Sequence, residues 1–172
     1  MKIQISLILL SIMILQSDAV SSSQKDQNLI ETTCKNTPDY KLCTSIIRAD
    51  RGAAAADVPG LGLIVVAVVK KKTQEMLATI NKQSKSAAKK LLPPLRRCKE
   101  VYKAVLEGDI PVAETAIRGN PKFAETAMAD ARIEANLCER AFEGVAPSPF
   151  TSQNNYVENV AAVARAIIRN LL

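Results

Sequence analysis

Four cysteines in two unequal pairs do the most to constrain this 172-residue chain. Cys34 and Cys43 are nine positions apart, whereas Cys98 and Cys138 are forty apart. The chain opens with the parts of a secretory leader. Lys2 supplies a basic start, Ile3 to Leu15 is mostly apolar, and Ser17-Asp18-Ala19 offers the small residues that a signal peptidase reads. A signal peptide is therefore expected at 1–19. An even cysteine count in an exported chain predicts two disulfides rather than reactive thiols. The chain has no histidine, so the usual catalytic base and the usual metal ligand are both missing. The expectation is a stapled scaffold that acts by binding, with no cofactor and no metal.

A second apolar run, Val58 to Val69, contains Pro59, Gly60 and Gly62 and stops at Lys70-Lys71-Lys72. It is too short to span a bilayer, which needs about 20 apolar residues. A buried helix is expected there, and no membrane segment after leader removal. Hydrophobic residues make up 48% of the chain but aromatics only 3%, with no tryptophan. Alanine, leucine, isoleucine and valine must then fill the core, which suits closely spaced helices.

Punctuation divides the mature chain into helices. Asn28 to Cys34 and Asp39 to Ala49 read as two short helices about the Asn36-Thr37-Pro38-Asp39 turn. Arg51 to Ala56 is a small-residue linker. Asp57 caps a long helix with Pro59 in its first turn, running to about Gln83. Pro93-Pro94 restarts the chain, with Leu95, Cys98, Val101 or Tyr102, and Val105 on one stripe. Gly108-Asp109 is read as a break before Pro111. Asn120-Pro121 opens a helix with a narrow seam of Ala124, Ala127, Ala131, Ala135 and Cys138. Gly144 and Pro147-Ser148-Pro149 end it. The last helix carries Val157, Val160, Ala161, Ala164, Ile167, Ile168 and Leu171 in near-heptad spacing. The predicted fold is all-α: an up-down-up-down four-helix bundle at 57–172, preceded by a helical hairpin and linker at 20–56.

Four cysteines allow three pairings, and sequence alone does not choose among them. The helical reading places Cys34 and Cys43 on opposite arms of one hairpin, and Cys98 and Cys138 on the apolar stripes of two long helices. Triads built on histidine are excluded, and the six glycines are too scattered for a phosphate loop. Glu31, Asp39, Glu100, Glu107, Asp130 and Glu134 read as solvated helix charges. Without histidine, the free protein is expected to take up few protons between pH 5 and 7.

The net charge is +6, gathered at Lys70-Lys71-Lys72, Lys89-Lys90 and Arg96-Arg97-Lys99. Solvated helix faces account for such runs; the functional alternative is attraction to an acidic cell-wall polymer. Nucleic acid is not expected, because no aromatics interleave with the cations.

Gly119-Asn120-Pro121-Lys122-Phe123 sets a cation and a large ring at the entry to a helix. Ordinary capping is one reading, with Asn120 capping, Pro121 starting the helix and Phe123 packed inward as a staple. An exposed rigid tip, suited to an acidic cleft, is the other.

The segment Leu29-Ile30-Glu31-Thr32-Thr33-Cys34-Lys35-Asn36-Thr37-Pro38 resembles the plant invertase and pectin methylesterase inhibitors. So do the Cys43 spacing, the Cys98 and Cys138 pair, Gly119 to Glu125, and the ending Ala166 to Leu172. The resemblance implies a non-enzymatic, secreted inhibitor of acid invertase, a β-fructofuranosidase, with bridges Cys34–Cys43 and Cys98–Cys138. It implies that Pro121, Lys122 and Phe123, with Asn120 before them, enter the target's active site and compete with sucrose. On this reading the inhibitor domain is 20–172, in the apoplast or cell wall, with the vacuole as the alternative destination. The wide bridge is expected to hold the Pro121-Lys122-Phe123 turn between cross-linked segments. Competing readings are a pectin methylesterase inhibitor on the same fold and a non-catalytic structural or carrier bundle.

Overall fold

The computed structural model describes residues 28–172, all in helices, turns and connecting loops. The expected leader, its expected cleavage point and the residues up to 27 lie outside the described residues. Helix α1 covers 28–35 and α2 Tyr40–Ala49. Asp39 caps α2 by accepting the Leu42 amide at 2.9 Å. The arms are bonded through Cys34–Cys43, and Glu31 of α1 pairs with both Tyr40 and Arg48 of α2. Two helices this short are marginal alone. The bridge and burial of Ile30, Ile46 and Ile47 supply what they lack.

After a 3₁₀ turn at Ala53–Ala55, α3 runs Val58–Ser84, 27 residues and about 40 Å long. As expected, Asp57 is its cap, accepting the Gly60 amide at 2.9 Å. Gly62 lies where α3 comes closest to its neighbours. A Cβ there would stand 2.8 Å from Ile117 Cδ1 and 3.6 Å from Ile167 Cγ2. The apolar all-round character of Val58 to Val69 follows from this position between α5 and α7.

Helix α4 (Leu92–Ala104) passes through a π turn at Val105–Asp109 into α5 (Ile110–Ala116). The expected break at Gly108-Asp109 is therefore a widening of one continuous helix. Pro111 has no amide to give the carbonyl four residues back, and its ring crowds that carbonyl. The chain opens by one residue, and the Ile110 amide bonds Val105 O. Helix α6 (Pro121–Arg140) and α7 (Thr151–Arg169) complete the bundle.

In the closed ring, α3 packs on α4–α5, these on α6, α6 most extensively on α7, and α7 on α3. The alanine seam of α6 is buried throughout, which lets α7 approach closely. The second bridge joins Cys98 to Cys138. Cys138 stands 17 positions beyond Pro121, about 26 Å along α6. The bridge therefore closes the open end of the α4–α5/α6 hairpin and does not grip its turn directly. Next to it, buried Tyr102 donates to Asn154 Oδ1 at 2.7 Å, and Asn154 Nδ2 donates to Glu139 Oε2 at 2.7 Å. Phe142 and Phe150 meet edge to face across the α6–α7 connection, centroids 5.9 Å apart.

Between pH 5 and 7, where a chain without histidine is expected to take up few protons, one carboxyl does titrate. Asp109 is pushed up to about 7, first by burial and then by the charges of Asp130 and Glu134 on α6. Its Oδ2 and Glu134 Oε2 are buried without a hydrogen-bond partner. Glu134 is not the solvated charge its sequence context suggests: burial raises its carboxyl, against the lowering charge of Arg97. A carboxyl raised in the folded state adds stability fully present below its unfolded value, near 3.9. That stability is lost as pH rises through about 7. The thermal midpoint should therefore fall from about pH 4 to 7. In Asp109→Asn that slope should flatten, and potentiometric titration should lose one proton near neutrality. An unchanged titration curve in the variant would refute the assignment.

Candidate functional site

The turn from α5 to α6 holds the residues that the sequence singled out. The Ala116 carbonyl accepts both the Gly119 amide at 3.1 Å and the Asn120 amide at 2.7 Å, which folds the chain back. Pro121 is the first residue of α6, where its missing N–H costs nothing. Asn120 stands at the capping position, but its side chain makes no cap bond. The expected side-chain cap is replaced by backbone: the Phe123 amide donates to Asn120 O at 3.0 Å.

Phe123 does not pack inward. It is 61% exposed, more than any other large apolar side chain on the bundle helices. The buried seam begins one residue later at Ala124, so Phe123 is turned about 100° away from it. Of the two readings of this segment, the exposed tip is the one that the fold adopts. Asn120 and Lys122 are exposed beside the ring, and Pro121 is half-buried.

Ion pairs centred on two carboxylates, Asp57 and Glu125, hold the tip from below. Arg118 reaches Asp57 with two bonds, Nη1 to Oδ2 at 2.8 Å and Nη2 to Oδ1 at 2.9 Å. This side-chain pairing, then the Gly60 amide, holds the Asp57 carboxyl down at about 2. The cap of α3 is thus also the anchor of the tip. A guanidinium matching a carboxylate in a bidentate fork fixes direction as well as distance.

The second carboxylate is that of Glu125, 3% exposed and one turn into α6. Its Oε2 accepts Lys122 Nζ at 2.7 Å, and its Oε1 accepts Arg165 Nε of α7 at 2.7 Å. The Lys122 and Arg165 hydrogen bonds, which outweigh burial, hold the Glu125 carboxyl below its ordinary value. The Lys122 side chain remains 68% exposed. An ammonium has three donors, so two stay available to a partner. One carboxylate between two cations leaves the site with surplus positive charge, reinforced by the N-terminus of α6. An i,i+3 Lys–Glu spacing was visible in the sequence. Arg165 comes from a different helix and carried no local signal.

The geometry is that of an exposed, braced turn. A rigid backbone turn presents one cation and one ring, and the carboxylate beneath them is already neutralised. Among the described residues no group of histidine, cysteine, aspartate or glutamate side chains forms a metal site.

A family model described as plant invertase/pectin methylesterase inhibitor matches residues 28–167. The chain belongs to this family. It is 38% identical over 141 residues to the cell wall / vacuolar inhibitor of fructosidase 1 of Arabidopsis thaliana, covering 81% of this chain and 67% of that protein. It is 36% identical over 64 residues to the cell wall / vacuolar inhibitor of fructosidase 2 of the same plant, covering 37% of this chain and 36% of that protein. Among solved structures, a mutant form of a pectin methylesterase inhibitor from Arabidopsis superposes with a TM-score of 0.70 at 13% identity, over 81% of this chain and 95% of that one. A second pectin methylesterase inhibitor structure from Arabidopsis thaliana gives 0.63 at 14% identity, over 83% and 95%. At these identities the structural likeness is one of fold. The all-α bundle of this chain is therefore the fold of those inhibitors.

The Glu125 pairing predicts how the site responds to acid. A carboxyl held low when folded contributes stability above its unfolded value, near 4.3, and that contribution is lost as pH falls below it. Glu125→Gln should cost on the order of 1–3 kcal/mol at neutral pH, as for the loss of a hydrogen bond to a charged group. It should also flatten the stability loss below about pH 4.3. Urea unfolding at pH 7 and pH 3.5 measures both; equal losses at the two pH values would count against the pairing.

Proposed function

We propose that this protein is a secreted inhibitor of plant acid invertase, a β-fructofuranosidase, and that Pro121, Lys122 and Phe123 form its contact with the target's active site. The exposed Lys122–Phe123 pair on a clamped turn carries the reading. The 38% identity to an inhibitor of fructosidase supports it.

The chemistry fits such a target. A retaining glycosidase carries two carboxyl groups about its scissile bond. Lys122 offers two free donors to them in a cleft from which water is expelled, where charge-assisted hydrogen bonds are strongest. Phe123 adds about 1.5–3 kcal/mol if its exposed ring becomes fully covered. Pro121 and these ion pairs fix the turn beforehand, so little conformational freedom is lost on docking. Occupying the cleft excludes sucrose, and inhibition should be competitive. Export by the leader at 1–19 puts the inhibitor in the cell wall, with the vacuole as the alternative destination. No helix among the described residues is long and apolar enough to cross a membrane.

Purified acid invertase and pectin methylesterase, assayed side by side, test the proposal. Invertase should be inhibited and the esterase not; inhibition of the esterase alone would overturn it in favour of the other branch of the family. Lys122→Ala and Phe123→Ala should each raise the inhibition constant about 10- to 100-fold, matching losses of about 1.5–3 kcal/mol. Phe123→Ala should leave the unfolding midpoint close to wild type, whereas Lys122→Ala, which leaves the buried Glu125 carboxylate with Arg165 alone, should lower it. Glu125→Gln should weaken inhibition when Lys122 is present and have little further effect in Lys122→Ala. Inhibition constants equal to wild type for both tip variants would remove the tip from the interface.

A further inference from the structure

The charge of this protein is concentrated far from the tip. Between Lys70 and Lys103 the chain carries eleven Lys or Arg and only two carboxylates, Glu75 and Glu100, a net +9 where the whole chain is +6. The fold gathers much of this charge at the α3–α4 connection. Lys82, Lys85, Lys89, Lys90 and Lys99 are all exposed there, and none has an ion-pair partner among the described residues. By contrast, Lys70 is paired with Glu114 and Lys72 with Glu75.

A groove of about 380 Å³ opens between the end of α3 and the start of α4, lined by Asn81, Ser84, Lys89, Pro93, Arg96 and Lys99, with Leu92. No carboxylate lines it. Folding does not explain this arrangement. Cations at the end of α3 complement the helix dipole, so Lys82 is in a favourable place. Lys89 and Lys90, without ion-pair partners among the described residues, stand at the N-terminal pole of α4, whose first turn contains no acidic residue, and Arg96 and Arg97 beside them share the single carboxylate of Glu100. There the dipole and the cations repel one another. An external anion relieves that repulsion.

We propose that this corner is a second binding surface and that its ligand is an acidic polysaccharide, a polymer of uronate carboxylates. Flexible lysines suit carboxylates arrayed along a chain, each met as a point charge. The groove has no aromatic ring on which a base could stack. Its only exposed large apolar residue is Leu92, too little to enter a lipid interface. The Asp57–Arg118 pair places the start of α3 at the tip, so the groove at its other end is about 40 Å away along the helix. The protein can therefore be held on a polyanion with Lys122 and Phe123 free.

Affinity electrophoresis through gels containing polygalacturonate, its methyl ester, or dextran tests this on the mature protein. Polygalacturonate should retard it; the ester and dextran should not. Retardation should vanish at about 1 M salt, where the Debye length falls to about 3 Å. Lys85→Gln/Lys89→Gln/Lys90→Gln should weaken retardation roughly tenfold, as expected of three exposed charge contacts. An equal-charge control at exposed sites elsewhere, Lys35→Gln/Lys41→Gln/Arg51→Gln, should keep it. Inhibition constants of both variants should match wild type. Retardation of the two variants to the same degree would overturn the proposal, since net charge alone would then suffice. So would wild type passing freely through polygalacturonate, or binding RNA or anionic vesicles at equal ionic strength as tightly.

Discussion

The close contact of α6 with α7 is the constraint on which the rest of this structure depends. Ala124, Ala127, Ala131 and Ala135 give α6 a face with almost no side-chain relief. The backbone of α7 approaches across it, and Arg165 is thereby brought within hydrogen-bonding distance of Glu125. A bulkier seam would force the helices apart and leave a buried carboxylate short of a cation, at a cost that burial makes large. The tip is therefore not a loop attached to a bundle. Its charge is fixed by how near two helices lie.

The carboxylates of this protein fall into two opposed kinds. Asp57 and Glu125 are each met by a guanidinium or an ammonium, stay ionised in mild acid, and hold the tip. Asp109 at the π turn and Glu134 on α6 are raised instead, in both cases chiefly by burial. The same residue type is thus an ionised anchor at one place and a carboxyl with raised proton affinity at another. Environment separates the two roles, in the absence of any histidine.

Much of this was legible in the sequence, because local rules carry it. Proline, glycine and capping chemistry marked where helices start. Apolar spacing marked the faces of α4, α6 and α7, and cysteine arithmetic marked the staples. The helix count needed nothing else, whereas the residues of Gly119 to Phe123 left inward capping and an exposed tip both open. What stayed hidden depends on contacts between residues remote in sequence. Arg165 meets Glu125 across 40 positions and Arg118 meets Asp57 across 61, distances at which no period or motif speaks. The Asp109 carboxyl belongs to the same class, since its raised affinity for a proton comes from burial against α6. The π turn was hidden for another reason: Gly108 followed by Pro111 has the composition of a break, and only packing on both sides keeps the helix going.

That π turn also sets a phase. Each residue of an α-helix turns the chain by about 100°, and a π turn absorbs one extra residue without ending the helix. Between the Cys98 staple and the Ile117 contact with α3, the residue absorbed at Val105–Asp109 decides which way α5 faces. Remove it, and α4 could stay bonded to α6 while Ala113 and Ile117 rotated off the core and Arg118 swung away from Asp57. The hairpin behaves as a shaft keyed at one end by a covalent bond and at the other by a salt bridge. The single widened turn is the gear tooth that keeps the two keys aligned.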